Sequence, residues 1–235
     1  MLTPFGNPQN LYLYSYFNIP TGEFCLILLP SFLIAVSLLV IACIPIKPVK
    51  FSIDEEFPEK LNLKKTVLYL ILFLLSILIV FRVIPFIAGL LIIPVILFFS
   101  DKDSLKMVDY GLLGTFFFFF IFAGNLSRLD SVNSLISALL AKDTLIVSTL
   151  SCQFISNVPS AILLSQFTGN YTDLLLGVNI GGVGTLISSL ASLITFREYG
   201  KHNPGKTGKY IALFSAFNFA FLFILTGFQL LINLL

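Results

Sequence analysis

Two short polar segments interrupt the apolar stretches in the second half of the chain. The first, SNVPS, covers Ser156–Ser160, and the second, NIGGVGTLISS, covers Asn179–Ser189. A bilayer offers backbone N–H and C=O groups no hydrogen-bond partner, so irregular backbone at membrane depth is tolerated only inside protein or beside a water-filled site. Two such interruptions close together are typical of a solute or ion site near the bilayer midplane, and they favour a transporter.

The composition identifies an integral membrane protein. Of the 235 residues, 57% are hydrophobic and 11% are charged, whereas a soluble domain carries about 25% charged residues. The apolar stretches are long and continuous, which predicts an all-α protein rather than a β-barrel with its short alternating strands. The net charge of +2 argues against a nucleic-acid partner, which usually needs a concentrated basic surface.

About six apolar stretches are long enough to cross a bilayer, which takes about 17–25 residues. The predicted spans are Phe24–Ile46, Lys65–Phe81, Val83–Ser100, Tyr110–Leu126, the broken stretch Tyr171–Phe196 and Tyr210–Leu234. The five phenylalanines Phe116–Phe120 favour lipid contact or packing over a solute cage.

Basic residues orient these spans. Lysines and arginines gather in the linker Lys47–Lys65, in the loop that contains Lys102 and Lys106, and in Arg197–Lys209, so we expect all three on the cytoplasmic side. The segment Thr144–Phe167 must then enter and leave from the outer side. Each of its arms has only about 11 residues, too few to cross, which predicts a re-entrant hairpin.

The tip of this hairpin combines turn residues with oxygen ligands. Asn157 and Pro159 favour a turn, and Ser156, Asn157 and Ser160 supply side-chain oxygens. Carbonyl groups freed by the turn suit a hard cation such as Na⁺, while the N-terminus of the second half-helix favours an anion. The alternative is a simple polar turn between packed helices.

The second polar segment, Asn179–Ser189, also combines irregular backbone with polar side chains. Its glycines let the backbone leave helical geometry or allow close helix packing, so a glycine-rich packing face is the alternative to a binding site. The polar and glycine residues of interest are Asn179, Gly181, Gly182, Gly184, Thr185 and Ser188.

A third polar segment lies at the N-terminus and suggests an internal repeat. TPFGNPQNL, residues 3–11, can be written over TLISSLASL, residues 185–193, which places Gly6 and Asn7 opposite two serines and Asn10 opposite a third. Internal repeats are expected in transporters. If this repeat is real, Met1 lies inside a broken helix, and we expect an N-terminally truncated chain.

The three segments TPFGNPQN, SNVPS and GVNIGGVGTLISSLASL resemble the ion transporter superfamily. Within it the chain is most similar to the citrate/arsenite permease group, which is related to divalent-anion:Na⁺ symporters. Members carry two inverted repeats, each with a re-entrant hairpin and a broken helix. The resemblance implies the end of the first-repeat broken helix at 1–20, a transmembrane helix at 21–46, a cytoplasmic linker at 47–65, and a second repeat at 66–235 with its hairpin at 144–167 and its broken helix at 171–196.

The resemblance also implies the binding residues. These are Ser156, Asn157 and Ser160 at the hairpin tip, Asn179, Gly181, Gly182, Gly184, Thr185 and Ser188 in the facing break, and Gly6, Asn7 and Asn10 in the break of the first repeat. Na⁺ would be held by Ser156, Asn157, Gly182 and Thr185, with H⁺ as the other coupling ion. Symporters often have threonine after the Ser-Asn pair, where this chain has Val158.

Three functional hypotheses remain at this stage. The first is ion-coupled secondary transport of a small anion or oxyanion in the plasma membrane, without enzymatic activity or a cofactor. The second is Na⁺/H⁺ antiport, which usually needs an intramembrane carboxylate, and Asp109 and Asp173 lie closest to membrane entry. The third is a non-transporting remnant or assembly partner. The expected partners are the bilayer, the solute, and a second copy or a missing N-terminal half.

Overall fold

The computed structural model describes residues 1–48 and 62–234, and within these ranges every regular element is a helix. Most of the predicted cytoplasmic linker 47–65 lies outside the described residues. The helices are α1 (Pro8–Tyr16), α2 (Thr21–Cys43), α3 (Leu63–Val80), α4 (Phe86–Ser100), α5 (Lys102–Lys106), α6 (Tyr110–Leu126), α7 (Asp130–Lys142), α8 (Thr144–Ile155), α9 (Asn157–Leu164), α10 (Tyr171–Ile180), α11 (Leu190–His202) and α12 (Thr207–Leu234).

Three of these helices, α2, α3 and α12, are long and apolar enough to cross a membrane, with 23, 18 and 28 residues. A fourth span results if α6 and α7, which meet at 98°, are taken as one broken element. These helices are those of a multi-pass membrane protein. The stretch predicted to span at 83–100 contains α4, which has only 15 residues, and the count of about six spans stays a prediction.

The chain forms two compact units, residues 1–40 with 111–235 and residues 41–110. In the smaller unit, α3 and α4 pack closely enough that a Cβ on Gly89 would collide with the Ile79 side chain. The larger unit contains the main core, in which Leu13, Phe24 and Leu174 are fully buried. This larger unit also holds all three polar segments.

The short helix α10 lies at the centre of the larger unit. Five consecutive residues from Leu174 to Val178 are buried, so the helix is enclosed on all sides. It approaches α8 through Gly177 and Gly181, because a Cβ on Gly177 would lie 2.8 Å from the Leu145 carbonyl oxygen and one on Gly181 would lie 2.8 Å from that of Thr149. Small residues four apart allow this close backbone contact.

Helix α8 ends at the SNVPS segment, and the chain turns back there. Ser156 has φ 71°, and Pro159 cannot donate the N–H that would continue the helix. The Ser151 and Ser160 hydroxyl oxygens are 2.9 Å apart, although nine positions of one straight helix would separate them by about 13 Å. Helices α8 and α9 therefore lie side by side as a hairpin.

Candidate functional site

A cavity of about 560 Å³ opens beside the hairpin tip within the larger unit. Its walls come from the N-terminal ends of three helices and from the loop that follows α10. The lining residues include Asn7, Pro8 and Gln9 of α1, Ser156, Asn157 and Val158 of α9, Ser189, Leu190 and Ala191 of α11, and Asn179, Gly182 and Val183 of the broken helix. Thr115 and Phe116 of α6 complete one side.

Among the described residues, no side chain that lines this cavity is charged, so its electrostatic character comes from the backbone. Each helix N-terminus carries about half a positive elementary charge and presents N–H groups that lack a partner within the helix. Three N-termini therefore direct the positive ends of helix dipoles at this cavity, while the C-terminal ends of α8 and α10 lie at its wall and offset part of that charge. Such a site favours an anion without a lysine or arginine.

The hairpin tip is tied to the broken helix by hydrogen bonds. The Asn157 backbone N–H donates to the Ser188 carbonyl oxygen at 2.9 Å, and the Ser156 hydroxyl donates to the same oxygen at 3.4 Å. The Ser160 N–H donates to the Ser156 carbonyl at 3.1 Å. Since Pro159 has no N–H, only Val158 in this turn keeps a backbone donor without a partner among the described residues.

The Asn157 side chain presents an amide at the cavity wall. Its residue is only 7% exposed, and its Oδ1 accepts from the Ser156 hydroxyl at 3.5 Å. Its Nδ2 lies 3.1 Å from the position of a Cβ on Gly182, so glycine makes room for this amide. Within the described residues Nδ2 donates to no protein acceptor, which leaves its N–H groups available in the cavity wall.

Asn179 and Asn10 join two of the polar segments. The Asn179 Nδ2 donates to the Asn10 Oδ1 at 2.7 Å and to the Leu175 carbonyl at 2.9 Å. Asn10 is fully buried behind the wall, where its Nδ2 donates to the Met1 carbonyl at 2.7 Å. Asn179 therefore faces the cavity, and Asn10 holds it in place.

The other predicted binding residues do not line the cavity. Ser160 is buried against Ser151, and Gly6 lies in an exposed turn. Ser188 is fully buried and its hydroxyl donates to the carbonyls of Gly182 at 2.9 Å and Thr185 at 2.8 Å. Gly181 forms the close contact with α8 described above. Gly181 and Ser188 thus build the break, while Asn7, Ser156, Asn157, Asn179 and Gly182 line the cavity.

Sequence reasoning missed Gln153, which organises the centre of the break. Its Nε2 donates to the carbonyls of Gly181 at 2.9 Å and Val183 at 3.1 Å, and its Oε1 accepts from the Thr185 N–H at 2.9 Å. The Thr185 hydroxyl donates to the Gln153 carbonyl at 3.0 Å. A lone glutamine in an apolar helix gives no spacing signal that would have found it. Phe116, assigned from the sequence to lipid contact or packing, also lines the cavity.

Three of the four residues proposed from the sequence for Na⁺ line the cavity, namely Ser156, Asn157 and Gly182. The Gly182 carbonyl accepts the Ser188 hydroxyl, and Thr185 is bonded to Gln153 through both its N–H and its hydroxyl. Each of these oxygens keeps a lone pair beside its hydrogen bond, so a Na⁺ site among these residues stays a prediction.

The sequence also matches a known family of transporters. A model of the citrate transporter family covers residues 1–172. The chain belongs to this family. The predicted similarity to citrate/arsenite permeases is thereby confirmed, and so is the assignment to the multi-pass membrane proteins.

Two curated relatives of this citrate transporter family member are informative. Over 198 residues, 83% of this chain and 53% of the relative, it is 38% identical to an uncharacterized transporter of Methanocaldococcus jannaschii. Over 204 residues, 84% of this chain and 54% of the relative, it is 30% identical to the inner membrane protein YbiR of Escherichia coli. The chain spans about half the length of these relatives. No solved structure matches it significantly.

Proposed function

We propose that this chain forms the solute-binding part of a secondary active transporter for a small anion or oxyanion in the plasma membrane. The observation that carries the proposal is the convergence of three helix N-termini on one cavity whose lining side chains are uncharged. Dipoles and amide N–H groups stabilise negative charge there. Membership in the citrate transporter family and the relative named as a transporter support the same conclusion.

The size of the backbone charge limits the solute. Three N-termini contribute about 1.5 positive charges, and the C-terminal ends of α8 and α10 offset about one of them, which leaves a small net positive charge, while an unpaired ion in an apolar environment costs tens of kcal/mol. The cavity therefore suits an anion of low charge, and a more highly charged carboxylate such as citrate would enter only with part of its charge neutralised. The coupling ion in our proposal is Na⁺ or H⁺. Movement of the hairpin region would expose the bound solute alternately to the two sides of the membrane.

An internal repeat is part of the proposal. Asn7, at the start of α1, has φ −149° and ψ 149°, and Ser189, at the start of α11, has φ −145° and ψ 148°. The alignment of residues 3–11 with 185–193 places these two N-cap positions opposite each other, although only the Ser189 side chain accepts a capping hydrogen bond, from the Ser192 N–H. The shared geometry and the shared cavity support α1 as the first-repeat counterpart of α11.

The transport unit in this proposal contains more polypeptide than these residues. Both curated relatives are about twice as long as the part that matches, so a second copy or a further half would complete the unit. The mass of the native complex, extracted in mild detergent, tests this point. A stable complex of one 235-residue chain that transports solute would contradict it.

The transport function is tested by uptake into proteoliposomes that contain the full-length protein. The probes are radiolabelled citrate, sulfate and arsenite, offered separately with Na⁺ and with a proton gradient. For the solute that is transported, Asn157→Ala should reduce uptake at least tenfold, since it removes the amide donors that face the cavity. Asn218→Ala is the matched control, because within the part of the chain that the structure describes the Asn218 amide in α12 donates to the Phe214 carbonyl of its own helix and to no other acceptor. Wild-type uptake by Asn157→Ala would refute the assignment.

A further inference from the structure

The amide of Gln153 lies among three backbone carbonyl groups. Its Nε2 is 3.2 Å from the Thr149 oxygen, 2.9 Å from the Gly181 oxygen and 3.1 Å from the Val183 oxygen. We call these three oxygens the carbonyl cage. One comes from α8, one from the residue after α10 and one from the break itself, so the cage joins both halves of the site.

Hydrogen bonding fixes the orientation of this amide. The Gln153 Oε1 accepts the Thr185 N–H at 2.9 Å, and exchange of the amide oxygen and nitrogen would place an oxygen against three carbonyl oxygens and an NH₂ group against an N–H. Both contacts would be repulsive. The carbonyl cage therefore has a negative electrostatic potential, which is stabilised by a hydrogen-bond donor or by a cation.

The backbone around the amide is shaped to receive it. Gly184 has φ 122°, a conformation that residues with a side chain rarely adopt. A Cβ at this position would also collide with the Gln153 Oε1. The glycine is thus needed both for the backbone conformation and for the space that the glutamine side chain fills.

In broken-helix transporters, unwound backbone carbonyls of this kind coordinate the coupling cation. We propose that Gln153 replaces that cation: its tethered NH₂ group occupies the carbonyl cage, so the break is held together without Na⁺ at this position. The comparison with a coupling cation rests on the proposed transport function, whereas the contact between Gln153 and the carbonyl cage does not depend on transport. Gln153 thus has a positioning role, and the cage is removed from the sites available to Na⁺.

The test measures thermal unfolding of the purified full-length protein in detergent, with 0.2 M NaCl compared with 0.2 M choline chloride as the added salt. The chain lacks tryptophan, so helix content is followed by circular dichroism. The response of wild type to Na⁺ should be smaller than that of the Gln153 variants, because its carbonyl cage is already filled. Gln153→Ala, which empties the cage and exposes its oxygens, should unfold at a lower temperature in choline and regain about 3 to 6 °C in Na⁺, as expected for an ion present at about ten times its dissociation constant.

A matched control and a second variant keep the test decisive. Gln166→Ala removes an amide of the same hairpin whose Nε2 donates to the Tyr12 hydroxyl at 3.3 Å rather than to a carbonyl cage, so it should gain no response to Na⁺. Gln153→Glu, measured at pH 9 to keep the new carboxylate ionised, should respond to Na⁺ even if Gln153→Ala does not fold.

Two results would overturn the inference. Stabilisation of wild type by Na⁺ that is lost in the Gln153 variants would show that the cage already binds the ion. Absence of a Na⁺ response in every folded Gln153 variant would show that the cage is not a cation site. Because unfolding is measured without solute, neither result bears on the proposed transport function, which is tested separately by the uptake assay.

Discussion

Substitution of alanine for glycine should change the free energy of unfolding with opposite signs at two positions in helix interiors. Gly177 lies in α10, where an added Cβ would be 2.8 Å from the Leu145 carbonyl oxygen and would collide with the Ser148 hydroxyl. Gly227 lies in α12, where an added Cβ would meet nothing within 4 Å. Alanine at either position gains about 1 kcal/mol of helix propensity over glycine.

The packing cost decides the sign. A methyl group forced into a closely packed interface costs about 1–3 kcal/mol, and here a backbone carbonyl, which cannot rotate away, limits relaxation. Gly177→Ala should therefore lower the free energy of unfolding by up to about 2 kcal/mol after the propensity gain. Gly227→Ala should raise it by up to about 1 kcal/mol.

Thermal unfolding in detergent, followed by circular dichroism, measures both effects. About 1 kcal/mol corresponds to about 2–4 °C for a chain of this size, so the two variants should lie on opposite sides of wild type. Adding Ser148→Ala to Gly177→Ala should recover part of the loss, since it removes one of the two colliding groups. A midpoint for Gly177→Ala at or above that of wild type would refute the close contact between α8 and α10.

Two further predictions concern a buried hydroxyl and an acidic group. Ser188→Ala should lower the free energy of unfolding by about 1–3 kcal/mol, because two carbonyls of the break lose their donor. Ser37→Ala removes one exposed hydrogen bond within a helix and should change the free energy of unfolding by less than about 0.5 kcal/mol. Equal losses for the two variants in chemical denaturation would contradict this prediction. Donation from the Tyr69 hydroxyl, followed by the Lys65 ammonium, lowers the pKa of Asp101 to about 2. Since this folded-state pKa lies below that of the unfolded chain, the contact contributes its full stabilisation of the folded state above about pH 4, and that stabilisation is lost as the pH falls through 2. Carbon NMR of labelled aspartate should show that Asp101 titrates near 2. An ordinary pKa near 4 would refute the contact.

The polar interruptions were the part of the site that sequence could locate. Proline and glycine restrict the backbone locally, so SNVPS and NIGGVGTLISS lie where α8 and α10 end. Asn157 and Gly182 were selected for the same local reason, and both line the cavity. Short-range stereochemistry is sufficient for this kind of inference.

Sequence could not separate the hydroxyl groups that line the cavity from those that are bonded within the protein. Ser156 lines the cavity, whereas Ser160 and Ser188 are fully buried and bonded to protein oxygens. The difference depends on which side of a turn faces the cavity, and this is set by packing between elements distant in sequence. Gln153 was missed because its partners in the break lie 28 to 32 positions away.

The hydrogen bonds around the break also constrain how the site can move. The hairpin tip is joined to the break through the Asn157 N–H and the Ser188 carbonyl, and α10 is joined to α1 through Asn179 and Asn10. Separating any of these elements would leave buried polar groups without partners, at about 1–3 kcal/mol for each group. We therefore expect the hairpin, the break and α1 to move as one body during transport. A disulfide that links α1 to α10 without loss of uptake would agree with this, whereas uptake abolished by that link and restored by reduction would show that the cavity opens between them.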